Sequence, residues 1–362
     1  MTRKRVLMVT SSNMCVGGVP KVIMDMVEAL KERYTFDLLA LSAQKGFYDE
    51  EFLKYGGKIY TVDAIEYVKH KFLYPLRGIQ VKKGIKKILE EESYDVIHSH
   101  AGFDSAPCFS EGKKKGIKVR IVHSHGEYTC RRKNILANIV NIAYKIKLNK
   151  LATIRLACSD VAGRSLYGKR RYVNILNPVD TKVYEGIEKK DHDGVNLVQV
   201  GYFCRRKNQI FSVKLLAELR KRGIDARLFL VGYKYEEDYY EDLLKIIKDL
   251  GVKEYLEFLP ANYDKRELFS YGDYSLLPSE NEGLPLVALE SQAAGVKCLM
   301  SDRVSKDSDV GNAEFFGHDN LQAWAQGIID DLADENKKQA EFNGPSLEEY
   351  CEKISMFYEN IG

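Results

Sequence analysis

Short runs rich in β-branched and other apolar residues alternate with helical periodicity twice along this chain, and that double alternation constrains the fold more than any single motif. In the first half the runs predict strands over 5–10, 36–41, 58–61, 95–98, 118–122, 154–157 and 173–175. Helices are predicted over 20–33, 77–92, 104–115, 134–150 and 160–167. The pattern restarts in the second half, with strands over 196–200, 226–231, 256–258, 274–277 and 297–300 and helices over 207–222, 236–250, 265–270, 285–294 and 321–333. A strand followed by a helix, repeated, implies a parallel sheet covered on both faces. Two such units in 362 residues predict two α/β domains with a cleft between them. The polar stretch 180–193 reads as the linker, and an amphipathic segment over 346–361 closes the chain.

Charge divides along the same line. Residues 1–180 hold 32 Lys and Arg against 18 Asp and Glu, while the remainder holds 23 against 34. The overall charge of +3 therefore joins a basic half to an acidic one, and the basic half is expected to face something anionic. A membrane surface or an anionic acceptor fits; nucleic acid is not expected, because no recognised binding motif accompanies the charges. The apolar run after Arg3, Lys4 and Arg5 is too short for a signal peptide, and no stretch reaches the roughly 20 residues that span a bilayer. Seven scattered cysteines without a C-x-x-C pair point to free thiols and a cytoplasmic protein.

Three loops carry chemistry. After the first strand, Gly17 and Gly18 open a helix whose backbone N–H groups can approach an anion closely. After the first strand of the second half come Arg205, Arg206, Lys207 and Asn208, cations between a strand end and a helix start, where a phosphate is expected. The third loop runs Glu282-Gly283-Leu284-Pro285-Leu286 into a helix bearing Glu290. Its two carboxylates are at most about 12 Å apart along the chain at ~1.5 Å per residue, and each can accept from hydroxyl pairs such as sugars and ribose present.

The segment Glu282-Gly-Leu-Pro-Leu-Val-Ala-Leu-Glu290-Ser-Gln-Ala-Ala-Gly295 resembles the signature of family-four glycosyltransferases, retaining enzymes of the GT-B fold. The likeness extends through Gly17-Gly18, Ala157-Cys-Ser159, Asn177-Pro-Val-Asp180, Lys207-Asn208 and Ser301-Asp302-Arg303-Val304, and is nearest to capsule and exopolysaccharide enzymes. It implies two Rossmann-like domains facing a cleft, an acceptor-side domain over 1–180 rejoined by the helix 346–362, and a donor domain over 181–345. It implies that Glu290 holds the donor ribose and Glu282 the donor sugar, with the amides at Gly283, Leu284, Pro285 and Leu286 completing the pocket. Lys207, with Gly17 and Gly18, would neutralise the diphosphate, and His125 would lie near the reacting sugar. A nucleotide sugar, expected to be UDP-linked, is then the donor substrate, without cofactor or metal. The resemblance implies as acceptor a glycan or a lipid-linked sugar, the latter expected at the inner membrane face.

One position departs from the pattern. Family members carry Arg directly after the glycine at 201, and here Tyr202 stands there. Tyr cannot neutralise a diphosphate, so Arg205 or Arg206 is expected to compensate. Two alternatives use the same architecture: a nucleotide-sugar epimerase or sugar phosphorylase, and a non-catalytic sugar-binding partner subunit. His98/His100 and His123/His125 form two H-x-H pairs near strand ends, which raises a metal site as a rival to polar residues with satisfied hydrogen bonds lining the cleft. The acceptor is expected to be chosen by loops over 47–74 and 128–134.

Overall fold

A computed structural model describes residues 3–11, 13–64, 76–126, 135–334 and 341–359. The chain divides into two compact units, Met1–Pro178 with Leu347–Gly362, and Val179–Ser346.

The first unit contains, in chain order, β1 (Lys4–Thr10), α1 (Gly18–Leu30), β2 (Tyr34–Ala40), α2 (Asp49–Lys54), β3 (Ile59–Thr61), α3 (Arg77–Glu91), β4 (Val96–Ser99), α4 (Ser105–Lys114), β5 (Val119–Ser124), α5 (Ile135–Leu151), β6 (Ile154–Ala157), α6 (Asp160–Tyr167) and β7 (Val173–Asn174). Its seven strands lie in the order β3-β2-β1-β4-β5-β6-β7 with every pairing parallel. Val6, Leu7, Met8 and Val9 of the central strand are fully buried on both faces, as a sheet covered by helices on either side requires.

The second unit repeats the plan with β8 (Val195–Val200), α7 (Gln209–Lys221), β9 (Ala226–Val231), α8 (Glu237–Asp249), β10 (Leu256–Leu259), α9 (Lys265–Tyr271), β11 (Tyr274–Leu277), α10 (Leu286–Ala293), β12 (Lys297–Ser301), β13 (Ala313–Phe316) and α11 (Leu321–Ala333). Strand order is β10-β9-β8-β11-β12-β13, again all parallel. The core is dominated by leucines of α7 and the strands, with Trp324 packed between Phe211 and Phe316.

In both sheets the order reverses beside the first strand, between β1 and β4 and between β8 and β11. Loops leaving the carboxyl ends of two strands that flank such a reversal diverge, and the crevice between them is where open α/β sheets bind ligands.

The last helix, α12 (Leu347–Glu359), packs against α1 in the first unit. Lys4 pairs with Glu359 at 2.6 Å and Arg33 with Glu352 at 2.5 Å, around an edge-to-face contact between Tyr34 and Tyr358. The stretch 180–193, expected as a linker, is instead held against the second unit. Lys189 Nζ donates to the carbonyls of Phe269 and Gly272, which end α9, while Tyr184 is buried beside Phe269. A lysine satisfying the orphan carbonyls of a helix end is a reason for a polar segment to be ordered. Among the described residues no helix is long and apolar enough to cross a membrane.

Candidate functional site

In the second unit the Arg205–Asn208 loop leaves β8 and the Glu282–Pro285 loop follows β11, so the two lie on either side of the strand-order reversal. Three features shape the first loop. Gly201 has no side chain, and the aliphatic stem of Lys207 passes 3.2 Å from where a Cβ would stand. Asn208 sits in the left-handed region at φ 53°, a conformation Asn tolerates better than most residues, and starts α7 from there. Its side-chain amide donates to the Pro278 carbonyl at 3.3 Å, and Gln199 Nε2 donates to the Lys207 carbonyl at 2.7 Å.

The result is that Lys207 Nζ and Arg206 Nη1 both reach Glu282 Oε1, at 2.7 and 2.8 Å. Burial by itself would raise the Glu282 carboxyl, but Lys207 and then Arg206 hold it below the usual carboxylate range. The Glu282 backbone is fixed too, bridged in parallel to Val304 and accepting from the Ser305 amide at 3.2 Å. Three residues on, Pro285 precedes α10, and no side chain caps the helix's first turn. Gly283, Leu284 and Leu286 line this approach, with Leu284 and Leu286 buried.

Glu290 projects from the middle of α10 and is 4% exposed. Lys265, from the first turn of α9, contacts both of its oxygens at 2.7 and 2.5 Å. Nothing in the sequence pairs Lys265 with Glu290; only the fold brings the two side chains together. Arg205 is not brought to this cluster. Its guanidinium turns to Asp238 at 2.8 Å and Asp242 at 3.5 Å on α8. Of the two arginines expected to substitute for a cation at position 202, the structure brings only Arg206 to Glu282. Tyr202 joins an aromatic group with Tyr233 and Tyr235, centroids 4.5 and 5.6 Å away.

In the first unit, Gly17 is the N-cap of α1 and no side chain satisfies that helix's first amides. The two H-x-H pairs come from β4 and β5, adjacent strands, and merge into one buried stack. His98 lies over His100 at 4.5 Å, His100 over His125 at 4.9 Å, and His123 beside His125 at 4.3 Å. His125 Nδ1 meets Asn177 Oδ1 at 3.2 Å and its Nε2 meets His100 Nδ1 at 2.7 Å. With the Asn177 oxygen accepting, His125 carries its proton on Nδ1, and its Nε2 lone pair accepts from His100. Both nitrogens are thereby engaged. Burial lowers the His125 pKa to about 4, with Asn177 opposing, so the ring is neutral at pH 7. Burial, and after it the charge of neighbouring rings, pushes His98, His100 and His123 well below the ordinary histidine value.

The stack corrects the expectation of satisfied polar residues. His98 Nε2, His100 Nε2 and both His123 nitrogens are buried without a hydrogen-bond partner. One nitrogen from each of His98, His100 and His123 lies within 4.8 Å of the other two, a spacing a transition metal can bridge. Two features oppose that reading. The ring planes are within 30° of one another and stacked, so their in-plane lone pairs run side by side. Among the described residues no carboxylate joins the group to offset a dication in an apolar interior. Much of the expected acceptor loops, 65–75 and 128–134, lies outside the described residues.

Residues 180–343 match the family described as glycosyl transferases group 1, and residues 16–183 match glycosyltransferase family 4. The chain is 29% identical over 333 residues to EpsF of Bacillus subtilis, covering 86% of this chain and 82% of that one. It is 24% identical over 353 residues to the capsular polysaccharide biosynthesis glycosyltransferase CapH of Staphylococcus aureus, covering 93% and 92%. Its fold is similar to that of HepE from Anabaena, solved with UDP and glucose, at a TM-score of 0.77 and 16% identity over 99% of this chain and 100% of that chain. The two family matches together span residues 16–343, and the chain belongs to the family-four glycosyltransferases of GT-B fold.

Proposed function

We propose that this chain takes a sugar from a nucleotide-sugar donor, UDP-linked, and transfers it with retention of anomeric configuration to a glycan or lipid-linked acceptor at the inner face of the membrane. The observation that carries the reading is the convergence of Lys207 and Arg206 on Glu282 at the strand-order reversal, with the Glu290–Lys265 pair one helix further on.

The chemistry follows from charge. A donor diphosphate competes with Glu282 for Lys207 and Arg206, and two cations that are already placed lose little entropy on binding it. Glu282, released from one or both, accepts from hydroxyls of the donor sugar, and the uncapped amides at the start of α10 favour the same polar ligand. Glu290 accepts from the ribose hydroxyl pair, with Lys265 fixing the carboxylate's orientation. As the bond from the anomeric carbon to the phosphate oxygen breaks, its electron pair stays on that oxygen, and Lys207 and Arg206 stabilise the charge. The acceptor hydroxyl attacks from the same face and its proton passes to the departing phosphate oxygen, so no enzymic nucleophile is required. Arg206 takes the place of the cation that Tyr202 does not supply. His125, neutral and engaged at both nitrogens, is not available as a proton donor.

A panel of nucleotide sugars, read by thermal stabilisation and by slow hydrolysis, tests the donor assignment. Stabilisation by one UDP-sugar, with transfer only when acceptor is added, is the expected result. Interconversion of sugars without acceptor would instead identify an epimerase. Donor binding without hydrolysis or transfer across an acceptor panel would identify a non-catalytic subunit. Proton NMR of the product's anomeric signal decides between retention and inversion.

A further inference from the structure

Helix α5 leaves an apolar stripe uncovered. Ile135, Ile139, Ile142 and Ile146 follow one another at spacings of four, three and four, which places them on one helical face, and they are 76, 59, 48 and 59% exposed. The opposite face is the one the fold uses: Ala137, Asn141 and Leu148 are buried. Arg77 of α3 donates to Asn141 at 3.1 Å, and Gly78 packs so closely on Tyr144 that a Cβ there would collide with the ring. α5 is thus anchored from behind and presents four isoleucines outward. Leu76 and Ile79, on the turn of α3 that makes these contacts, are exposed as well. Lys147 and Lys150 stand exposed at the carboxyl end of α5, and among the described residues no ion pair engages either.

We propose that this face of α5 seats the protein on an anionic bilayer surface, the isoleucines entering the headgroup boundary and the lysines meeting lipid phosphates. Two arguments select a bilayer over a protein partner. The stripe is a single convex helix face, running from Ile135 to Ile146 and about 17 Å long at ~1.5 Å per residue, which suits a planar interface. The free lysines, in the half of the chain that carries the positive excess, complement an anionic leaflet. The proposal rests on the reading above only in supposing that a lipid-linked acceptor lies in that membrane.

Co-sedimentation of the full chain with phosphatidylcholine vesicles, alone or with about 30% phosphatidylglycerol, tests it. Binding is expected to the mixed vesicles and to weaken with salt. The pair Ile139→Ser/Ile142→Ser is expected to lower the bound fraction about tenfold, and Lys147→Ala/Lys150→Ala to flatten the salt dependence. Thermal stabilisation by the donor, measured on each variant, reports an intact fold independently of lipid. Vesicle binding that fails while the donor response persists overturns this inference and leaves the functional reading standing. Wild-type sedimentation by the serine pair overturns it too, as does a dimer in analytical ultracentrifugation that the serine pair dissolves while vesicles are ignored.

Discussion

Acidification should unfold the first unit from within. His98, His100 and His123 are fully or almost fully buried, His125 is partly so, and burial depresses the pKa of every ring. In the unfolded chain each returns to about 6.5. Because the folded pKa lies below the unfolded one, the unfolded state binds more protons once pH drops under that value. Stability is therefore full above about pH 6.5 and falls as pH decreases toward the folded pKa, which for His125 is about 4. Each ring costs up to about 1.4 kcal/mol per pH unit in that window. Moving from pH 7 to pH 5.5 then removes up to about 1.2 kcal/mol per ring, or up to about 5 kcal/mol for four, against a total domain stability of about 5–15 kcal/mol. For a unit of this size that is a fall in Tm of about 10–20 °C. Differential scanning calorimetry measures it. Trp324 is the sole tryptophan and is buried in the second unit, so its fluorescence follows that unit separately. The calorimetric transition of the first unit should move to lower temperature while the Trp324 transition moves less. His98→Leu should shrink the pH dependence by about a quarter. A calorimetric profile unchanged between pH 7 and 5.5 would refute the reasoning, because four neutral buried imidazoles cannot be indifferent to protons.

Other outcomes concern the proposed donor site. Arg206→Ala should lower kcat/KM about tenfold or more by removing a cation from the diphosphate. Arg205→Ala, which breaks exposed pairs with Asp238 and Asp242 and a cation–π contact with Tyr239, should stay within about twofold, and an equal loss in both would show that the loop rearranges. Glu290→Gln should raise the donor KM about 10–100-fold with the acceptor KM unchanged, and Lys265→Met should raise it about tenfold by freeing the carboxylate. Turnover should withstand a strong chelator, with no metal in the purified protein; loss of activity that zinc restores would make the histidine stack a metal site.

How much of this was readable in advance depends on how local each feature is. The strands and long helices were, because β-branched runs and three-four spacing are properties of neighbouring residues. β13 and α2 were not: the first is four half-buried residues at a sheet edge and the second a six-residue helix, too short for either period to show. The two loops that meet at Glu282 announce themselves through charge and glycine beside strand ends. Lys265 did not, since its value comes from lying opposite a residue 25 positions away on another helix. The histidines were visible as two pairs, but a spacing of two says only that both share a face, not that adjacent strands bring all four together with three of them buried. Arg205 and Arg206 look equivalent in the sequence and are divided by a single turn of backbone.

The return of α12 to the first unit has a consequence for synthesis. The hydroxyl of Tyr358 reaches His98 Nδ1 at 2.7 Å across 260 positions, and Tyr350 and Ile354 of the same helix are buried in that unit. When the ribosome finishes the first sheet, the helix that seals it has not been made. At about 5–20 residues per second, the nascent sheet waits roughly 10–35 s with that flank open. The second unit, contiguous from Val179 to Ser346, has its whole complement first. The half that begins the chain is the last to be completed, and truncating the final dozen residues should injure the beginning of the protein rather than its end.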